Sequence, residues 1–231
     1  MKILIVAAMQ EELDSIIHEL RIAFKSQQNH KFNHLQGNYK NHELALILCG
    51  IGKVNAAIAT QHMIDKFNPE LVINIGVAGS LSNQVNFGDI VIANDLVHHD
   101  MDVTEFGITL GQVPRMEVFS FSADADLLDQ ARKLQHSTYT IHIGRIVSGD
   151  QFINSQTKAT FLAQEFGAIA CEMEGAAIAH TCHINQVPFL VVRSMSDQAG
   201  LTSDAMHSFS ELKEMAASRA SEIVSQLLNS I

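Results

Sequence analysis

The chain has 231 residues, 47% hydrophobic and 17% charged, so it is long and apolar enough to bury a sizeable core, which excludes a disordered chain. Fifteen lysines and arginines stand against 25 aspartates and glutamates, a formal charge of −10 at pH 7, which excludes the broad basic surface that binds nucleic-acid polymers. This argument does not extend to small uncharged ligands.

The first half of the chain alternates short apolar runs, which predict strands, with stretches whose apolar residues recur every three or four positions, which predict helices. In chain order the predicted elements are strand 3–8, a helical face from Leu13 to Phe24, strands 31–36 and 43–49, a helix from 53 to about 67 and strand 71–75. Gly37-Asn38 and Asn41 suit a hairpin turn between the two middle strands. A loop of small residues, Gly76-Val77-Ala78-Gly79-Ser80, follows the last strand.

The second half continues the same alternation after one long interruption. A β-branched run at 90–97 predicts a strand, and a mixed segment with glycines and a proline extends from there to Phe121. The remaining predicted elements are helix 123–135, strand 139–147, helix 155–166, strand 168–173, helix 175–185, strand 188–195 and an amphipathic helix from about 209 to 227.

This alternation predicts a fold class. Strands that alternate with helices, several of them uniformly apolar, indicate an α/β protein whose sheet is covered on both faces. The length favours one domain, residues 1–231, over two. Ligand sites in such sheets lie beyond the carboxyl ends of strands, so the acidic residues at those ends are candidates for function. They are Glu12, Asp150, Glu172, Glu174 and Asp197.

The three cysteines indicate a compartment. They are an odd number in apolar sequence without a CxxC spacing, which indicates free thiols in a reducing environment, and we therefore predict a cytoplasmic protein. The apolar run at 3–8 resembles the core of a signal peptide, but Gln10-Glu11-Glu12 stands where a cleavage site is needed. No apolar stretch approaches the roughly 20 residues that cross a bilayer, so we predict no membrane partner.

Two patterns that often belong to cofactor or metal sites are incomplete. Gly50-Ile51-Gly52-Lys53 lacks the third glycine of a dinucleotide fingerprint and the Ser or Thr of a phosphate-binding loop, which favours a tight turn into a helix. His98-His99-Asp100 and the segment 180–183 contain metal-ligand residue types without a second cluster at a recognised metal spacing. We predict neither a cofactor nor a metal.

Each candidate carboxylate has an ordinary structural explanation when it is taken singly. Glu12 lies in the first turn of a predicted helix, where an acidic group complements the helix dipole. Glu172 and Glu174 would share one side of a continuing strand, but a solvated strand end explains them equally well. Asp197 fits a turn cap. None of these residues identifies a function alone.

Seven short motifs, in order and with comparable spacing, resemble a known family. They are Ala8-Met9-Gln10-Glu11-Glu12, Gly50-Ile51-Gly52-Lys53-Val54, Gly76-Val77-Ala78-Gly79, His99-Asp100-Met101-Asp102-Val103, Ser148-Gly149-Asp150-Gln151-Phe152-Ile153, Glu172-Met173-Glu174-Gly175-Ala176 and Val192-Arg193-Ser194-Met195-Ser196-Asp197. Together they resemble the 5′-methylthioadenosine/S-adenosylhomocysteine nucleosidases of the purine nucleoside phosphorylase and uridine phosphorylase superfamily. The resemblance implies a single-domain, three-layer nucleoside phosphorylase-like fold in which helices flank a central mixed twisted sheet.

The resemblance also implies a reaction, the hydrolysis of the bond between adenine and ribose in a small nucleoside with a 5′-thioether. Asp197 matches the acid that protonates N7 of the leaving adenine, a contribution of typically about 10²–10⁴-fold. Glu174 matches the ribose ligand, which would stabilise the positive charge of an oxocarbenium-like transition state. Glu12 matches the base that activates water on the opposite face of the sugar.

Further pocket residues follow from the same resemblance. Phe152 matches the residue that stacks on adenine, and Ile153 would offer backbone hydrogen bonds to the ring. Phe106 and Pro114 lie in the mixed segment that reaches the neighbouring subunit in this family, which implies a homodimer with a shared pocket. The residues expected to line the sugar and the thioether tail are Met9, Ile51, Val103, Met173 and Phe209, and those assigned to the pocket on the motifs alone are Val77, Ala78, Gly79, Arg193 and Ser196.

Several alternatives stay open. Val77 stands where some members have a serine that contacts ribose, and Ile108 where others have an aromatic residue near the tail, so the ribose contact and the tail preference stay open. The resemblance also implies 5′-deoxyadenosine and, from relatives with the Gly-Val-Ala-Gly-Ser loop, 6-amino-6-deoxyfutalosine as further candidate substrates. Phosphorolysis is a rival reaction, but it needs cations or oriented amides around a dianion, and few of the six arginines lie in the motifs. A nucleoside-binding protein without activity is a second rival, although a pure binder would not need all three carboxylates.

Overall fold

The computed structural model describes the backbone of residues 1–28, 32–200 and 205–231, and the side chains of 1–28, 32–200 and 212–231. Strands and helices alternate along these ranges. The strands are β1 Lys2–Ala7, β2 Lys25–Gln27, β3 His34–Tyr39, β4 His42–Leu48, β5 Leu71–Ser80, β6 Ile90–His98, β7 Phe121–Ser122, β8 Ile141–Ser148, β9 Ala168–Glu172 and β10 Phe189–Gln198. The helices are α1 Gln10–Leu20, α2 Lys53–Phe67, α3 Ala125–Ala131, α4 Gln156–Phe166, α5 Gly175–Asn185 and α6 Ala205–Ser230.

The strands form one mixed sheet in the order β10-β6-β8-β9-β5-β1-β4-β3-β2, and β7 pairs with β6. Strand β5 is the centre, because it pairs with β1 and β10 in parallel and with β9 antiparallel. Since β10 also pairs with β6, the five strands β5, β10, β6, β8 and β9 close into a ring. The rest of the sheet continues outward from β5 through β1.

Helices flank this sheet, as the sequence predicts. Strands β1 and β10 are buried along almost their whole length, which explains the apolar runs at 3–7 and 189–192. Helix α6 packs on α1, β5 and β10, and α2 packs on α5. The predicted α/β class and mixed flanked sheet are confirmed. Within the described ranges, no helix is long and apolar enough to cross a membrane.

The N-terminal hairpin differs from its prediction. Strand β3 continues through Gly37 to Tyr39, and the turn lies at Lys40 and Asn41, where Lys40 has a φ of 52°. Gly37 is needed inside the strand, because a Cβ there would lie 2.9 Å from the ring of Phe24. Phe24 itself lies beyond α1, which ends at Leu20, so its predicted place on the helical face was wrong. Residue 31, the predicted start of the first hairpin strand, lies outside the described residues.

Two strands extend further than their apolar runs predict. The small-residue segment 76–80 is not a loop but the second half of β5, where Gly79 pairs with Cys171 of β9. Strand β10 continues to Gln198, with an irregularity in its pairing to β5 between Met195 and Asp197. The small side chains of segment 76–80 therefore allow close packing between strands. The extended ends of β5 and β10 also place predicted site residues within the sheet.

Candidate active site

A cavity of about 200 Å³ opens at the carboxyl ends of strands β1, β4, β5, β8, β9 and β10. Most of the predicted site residues lie on its wall. They are Met9, Glu12, Ile51, Val77, Ala78, Gly79, Phe152, Ile153, Met173, Glu174, Ser196 and Asp197. Residues 8–12, 77–79, 171–174 and 196–199 are far apart in sequence and meet only because their strands are neighbours in one sheet.

Four predicted residues whose side chains the structure describes do not lie on this wall. Arg193 is fully buried behind it. Val103, Phe106 and Pro114 belong to the segment after β6, and the Phe106 side chain is 83% exposed. The side chain of Phe209 lies outside the described residues.

Glu12 is held in a fixed orientation. Its Oε2 atom accepts hydrogen bonds from the backbone N–H groups of Ala8 at 2.8 Å and Met9 at 3.0 Å. Its Oε1 atom accepts one from the N–H of Val77 at 3.1 Å. Burial raises the pKa of Glu12, while the charge of Arg193 and the three amides oppose that shift. Glu12, the third residue of α1, thus binds the backbone amides at the start of its own helix, and its raised pKa suits it to accept a proton.

Behind the wall, Arg193 forms a buried ion pair with Glu172. Its Nη2 atom donates to Glu172 Oε2 at 2.5 Å and to Asn74 Oδ1 at 2.5 Å. Glu172 also accepts hydrogen bonds from the backbone N–H groups of Glu174 and Gly175 and from the Ser148 hydroxyl. Although burial acts to raise it, the pKa of Glu172 is lowered by Arg193 and these donors. Glu172 therefore stays ionised.

Glu174 lies two residues after Glu172, but its surroundings disfavour its ionised form. Burial, together with the negative charge of Glu172, raises the pKa of Glu174 to about 8. The N–H of Gly52 donates to its Oε1 atom at 2.8 Å. Glu174 therefore holds a proton near neutral pH, and a hydrogen-bond donor or a positive charge beside it favours its ionisation.

Asp197 lies at the irregularity of β10. The Ser196 hydroxyl donates to its Oδ1 atom at 2.9 Å, and burial raises the pKa of Asp197. Gly79 of β5 lies next to this carboxyl group, since a Cβ at that position would be 3.5 Å from Asp197 Oδ2. A carboxyl group with a raised pKa is suited to donate a proton.

The cavity also has an apolar side. Phe152 is 47% exposed, so its ring is accessible to a planar ligand, whereas Ile153 is buried. The Ile153 carbonyl accepts a hydrogen bond from the N–H of Gly200 at 3.1 Å. An apolar surface that faces three buried carboxyl groups suits a ligand with a flat ring and a polar, hydroxylated part.

Sequence reasoning missed part of the wall. The missed residues are Ala8, Gln151, Cys171, Glu172 and Ala199. Glu172 was noted at a strand end, but β9 stops there, so Glu172 and Glu174 do not continue one pleat. The sequence signal for Glu172 was its position two residues before Glu174, at the end of a predicted strand. Cys171 and Ala199 reach the cavity through strand pairing and gave no local signal.

Three comparisons relate the chain to known proteins. The family model described as "Phosphorylase superfamily" matches residues 2–229. A 5′-methylthioadenosine/S-adenosylhomocysteine nucleosidase of Staphylococcus haemolyticus is 42% identical over 227 residues, 97% of either chain. A mutant of the Helicobacter pylori nucleosidase MTAN, with 5′-methylthioadenosine in its active site, has a TM-score of 0.94 and 33% identity, covering 100% of this chain and 99% of that one. The futalosine hydrolase of Helicobacter pylori has a TM-score of 0.94 and 32% identity, covering 100% and 98%.

Gly76 tests how tightly the site is packed. A Cβ at this position would lie 2.7 Å from Glu12 Oε1 and 2.9 Å from Arg193 Nη1. We expect Gly76→Ala to displace both side chains and to lower the free energy of unfolding by about 1–3 kcal/mol, measured by denaturant titration.

Gly144→Ala is the control, because a Cβ there would meet only the Ile169 side chain, which can move. We expect a smaller loss of stability from it. A Gly76→Ala protein as stable as the wild type would contradict the close approach of Glu12 and Arg193 to this backbone.

Proposed function

The chain belongs to the phosphorylase superfamily and, within it, to the 5′-methylthioadenosine/S-adenosylhomocysteine nucleosidases, and on that premise we propose its reaction and mechanism. The protein is a hydrolase that cleaves the N-glycosidic bond of 5′-methylthioadenosine and S-adenosylhomocysteine, releasing adenine and the thioribose. The observation that supports this most directly is that Glu12, Glu174 and Asp197 lie on the wall of one cavity.

Asp197 acts as the general acid. Adenine leaves poorly as an anion, so a proton on N7 lowers the barrier to its departure. Burial favours the neutral, proton-donating form of Asp197, and the Ser196 hydroxyl fixes the orientation of its carboxyl group. The ring of Phe152 stacks on the purine, and the backbone of Ile153 hydrogen-bonds to its edge.

Glu174 binds the ribose hydroxyls. As the glycosidic bond lengthens, positive charge grows on the sugar, and an ionised carboxylate next to it stabilises that charge. Burial and the charge of Glu172 raise the pKa of Glu174, and sugar hydroxyls that donate to it, together with the developing positive charge, favour its ionised form. Met9, Ile51 and Met173 contact the sugar and the thioether tail.

Glu12 orients the attacking water and removes its proton. Three backbone amides hold the carboxylate, and its raised pKa makes it a better base than a solvated glutamate. The bond that forms joins the water oxygen to C1′, and the bond that breaks joins C1′ to the purine N9. The proton lost by water goes to Glu12, and the proton on N7 comes from Asp197.

Hydrolysis is favoured over phosphorolysis by the charges around the cavity. No described residue on its wall is a lysine or an arginine. The nearby Arg193 guanidinium is occupied by Glu172 and Asn74. A phosphate dianion would therefore meet four carboxyl groups, and no described residue of the wall supplies a cation to hold it.

A third substrate is 6-amino-6-deoxyfutalosine. The similarity to the futalosine hydrolase of Helicobacter pylori supports it, as does Val77 in place of a ribose-contacting serine. Ile108 in place of an aromatic residue also alters the tail region. The ratio of specificity constants ranks the substrates.

Adenine release tests the reaction. We expect the purified protein to release adenine from 5′-methylthioadenosine and S-adenosylhomocysteine at the same rate with and without phosphate, because water is the nucleophile. Chromatographic detection of adenine and of the free thioribose measures this, with aminodeoxyfutalosine as a third substrate in parallel. Release that depends strictly on phosphate, with a sugar 1-phosphate as product, would refute hydrolysis.

The proton-transfer roles of Asp197 and Glu12 predict which step fails when each residue is replaced by its amide. We expect Asp197→Asn to fold and bind a substrate analogue but to lose about 10²–10⁴-fold in kcat, since an amide cannot protonate N7. We expect Glu12→Gln to retain binding and to lose turnover because water is no longer deprotonated. Calorimetric binding and initial rates, measured on proteins with wild-type circular dichroism, separate these effects. Full turnover by either variant would remove its assigned role.

We propose that the protein is a homodimer. Four exposed apolar side chains support this: Val54 at 67% and Ile58 at 53% on α2, Ile184 at 65% on the adjacent α5, and Phe106. Ile51, just before α2, is 54% exposed and also lines the cavity. A second copy that covers this face would bring its segment with Val103, Phe106 and Pro114 towards the cavity.

Val54→Glu tests the dimer. A charge in the centre of this apolar face is costly to bury, so we expect the variant to be monomeric by size-exclusion chromatography with light scattering. Phe161→Glu is the control, because Phe161 is an exposed apolar residue on α4, outside the proposed face. A monomeric wild type, or a Val54→Glu variant that stays dimeric, would rule out this interface.

We also propose that residues 1–231 act as one nucleosidase domain in the cytoplasm. The family match over residues 2–229 supports a single functional unit. The free, buried thiols of Cys49, Cys171 and Cys182 suit a reducing compartment.

A further inference from the structure

Asp100 has no part in the mechanism above, although it belongs to one of the sequence motifs. It lies just after β6, and its carboxylate binds two other loops at once. Its Oδ1 atom accepts a hydrogen bond from Lys53 Nζ at 2.5 Å, and its Oδ2 atom accepts one from the backbone N–H of Asp150 at 2.9 Å. Both charged side chains are mostly buried, Lys53 being 18% and Asp100 15% exposed.

The same two loops are joined a second time. The Asp150 carboxylate accepts a hydrogen bond from the backbone N–H of Lys53 at 2.8 Å. Lys53 is the first residue of α2, and the residue before it, Gly52, offers no side chain to cap the helix. Asp150 therefore supplies the capping carboxylate from another loop, where the positive end of the helix dipole favours it.

The backbone held by this arrangement contacts the substrate site directly. Gly52 donates its N–H to Glu174 Oε1 at 2.8 Å. Its φ of 99° lies in a region that glycine adopts readily, so its own conformation does little to fix that N–H. On the other side of Asp150, Phe152 and Ile153 continue the loop to the proposed purine site.

We propose that Asp100 is a positioning residue for the glycosidic reaction. Through Lys53 and Asp150 it holds the Gly52 N–H on Glu174 and keeps the loop of Phe152 at a fixed distance from the ribose site. The inference rests on the proposed function, because that function assigns the sugar to Glu174 and the purine to Phe152.

The alternative is an ion pair that only contributes to stability. Breaking a largely buried ion pair lowers stability whichever role the pair has, so unfolding alone does not separate the two roles. A merely structural role predicts no change in the pH dependence of catalysis, whereas a positioning role predicts a large loss in the reaction and a shifted pH profile.

The pH dependence follows from the groups that surround Glu174. Glu172 and Glu12 raise its pKa by their negative charge, Arg193 lowers it, and the Gly52 N–H lowers it by a hydrogen bond. The Cys49 thiol is also near and is neutral, since burial raises its pKa to about 12. Loss of a well-aligned Gly52 donor therefore raises the pKa of Glu174 further. Because Glu174 reacts in its ionised form, the acidic limb of kcat/KM moves to higher pH.

Asp100→Asn is the test, since asparagine has nearly the same shape but only one oxygen and cannot accept both hydrogen bonds. We expect kcat/KM for 5′-methylthioadenosine to fall about 10–100-fold, the cost of a small misplacement of reacting groups. We also expect the acidic limb of its pH profile to move to higher pH. Stability to denaturant should fall by a similar amount in this variant and in the control described next, because both break a largely buried ion pair.

Asp95→Asn is the matched control. Asp95 pairs with Arg145 at 2.6 Å, its side chain is 15% exposed like that of Asp100, and it lies on β6 away from the cavity wall. We expect wild-type kcat/KM and an unchanged pH profile for this control. An equal loss of activity in both variants would overturn the positioning role in favour of a general effect of broken ion pairs.

Lys53→Met extends the test to the other half of the pair. If both residues act through one arrangement, the loss in kcat/KM of the double variant is smaller than the product of the two single losses. A double variant whose loss in kcat/KM equals the product of the two single losses would overturn the inference. An Asp100→Asn enzyme with the wild-type rate and pH profile would do the same, and neither result would affect the proposed function. A wild-type protein that releases no adenine would instead overturn the proposed function. The adenine-release assay on the wild type is done first, so the two failures are distinguished.

Discussion

The site depends on how one buried positive charge is shared among three buried glutamates. Arg193 contacts Glu172 directly, and its charge also acts on Glu12 and Glu174. A single guanidinium cannot offset the desolvation of three carboxylates, so the one in contact is ionised and the other two have raised pKa values. The ion pair of Arg193 with Glu172 thus leaves Glu174 with a pKa of about 8, near neutral pH, and leaves the pKa of Glu12 raised by burial.

Backbone amides at three helix starts orient these groups. The amides before α1 bind Glu12, the Gly52 amide before α2 binds Glu174, and the first amide of α5 binds Glu172. Helix N-termini offer unpaired N–H groups and a favourable dipole, so they hold carboxylates without using side chains as donors. The backbone amides at the starts of these three helices therefore also position the three carboxylates.

Close contact between strands completes the arrangement. Gly76 allows Glu12 and Arg193 to approach within a few ångströms across the backbone of β5, where no side chain larger than hydrogen fits. Further along β5, Gly79 leaves room for Ala199, because a Cβ at Gly79 would lie 3.1 Å from the Ala199 Cβ. The irregular pairing of β10 places Asp197 at the cavity beside it. The run of small residues after Ile75 therefore serves both the sheet and the site.

The sequence by itself determined the α/β class, most strand positions and the presence of Glu12, Glu174 and Asp197 at strand ends, because hydrophobic periodicity is local and strand ends converge in such a sheet. It also predicted the family through ordered motifs. Only the tertiary structure decided that Glu172 pairs with Arg193 while Glu174 does not, that segment 76–80 is a strand, and that Asp100 joins two loops. The reason is physical: a carboxylate's protonation and a strand's extent depend on neighbours brought from distant parts of the chain, which local patterns do not encode.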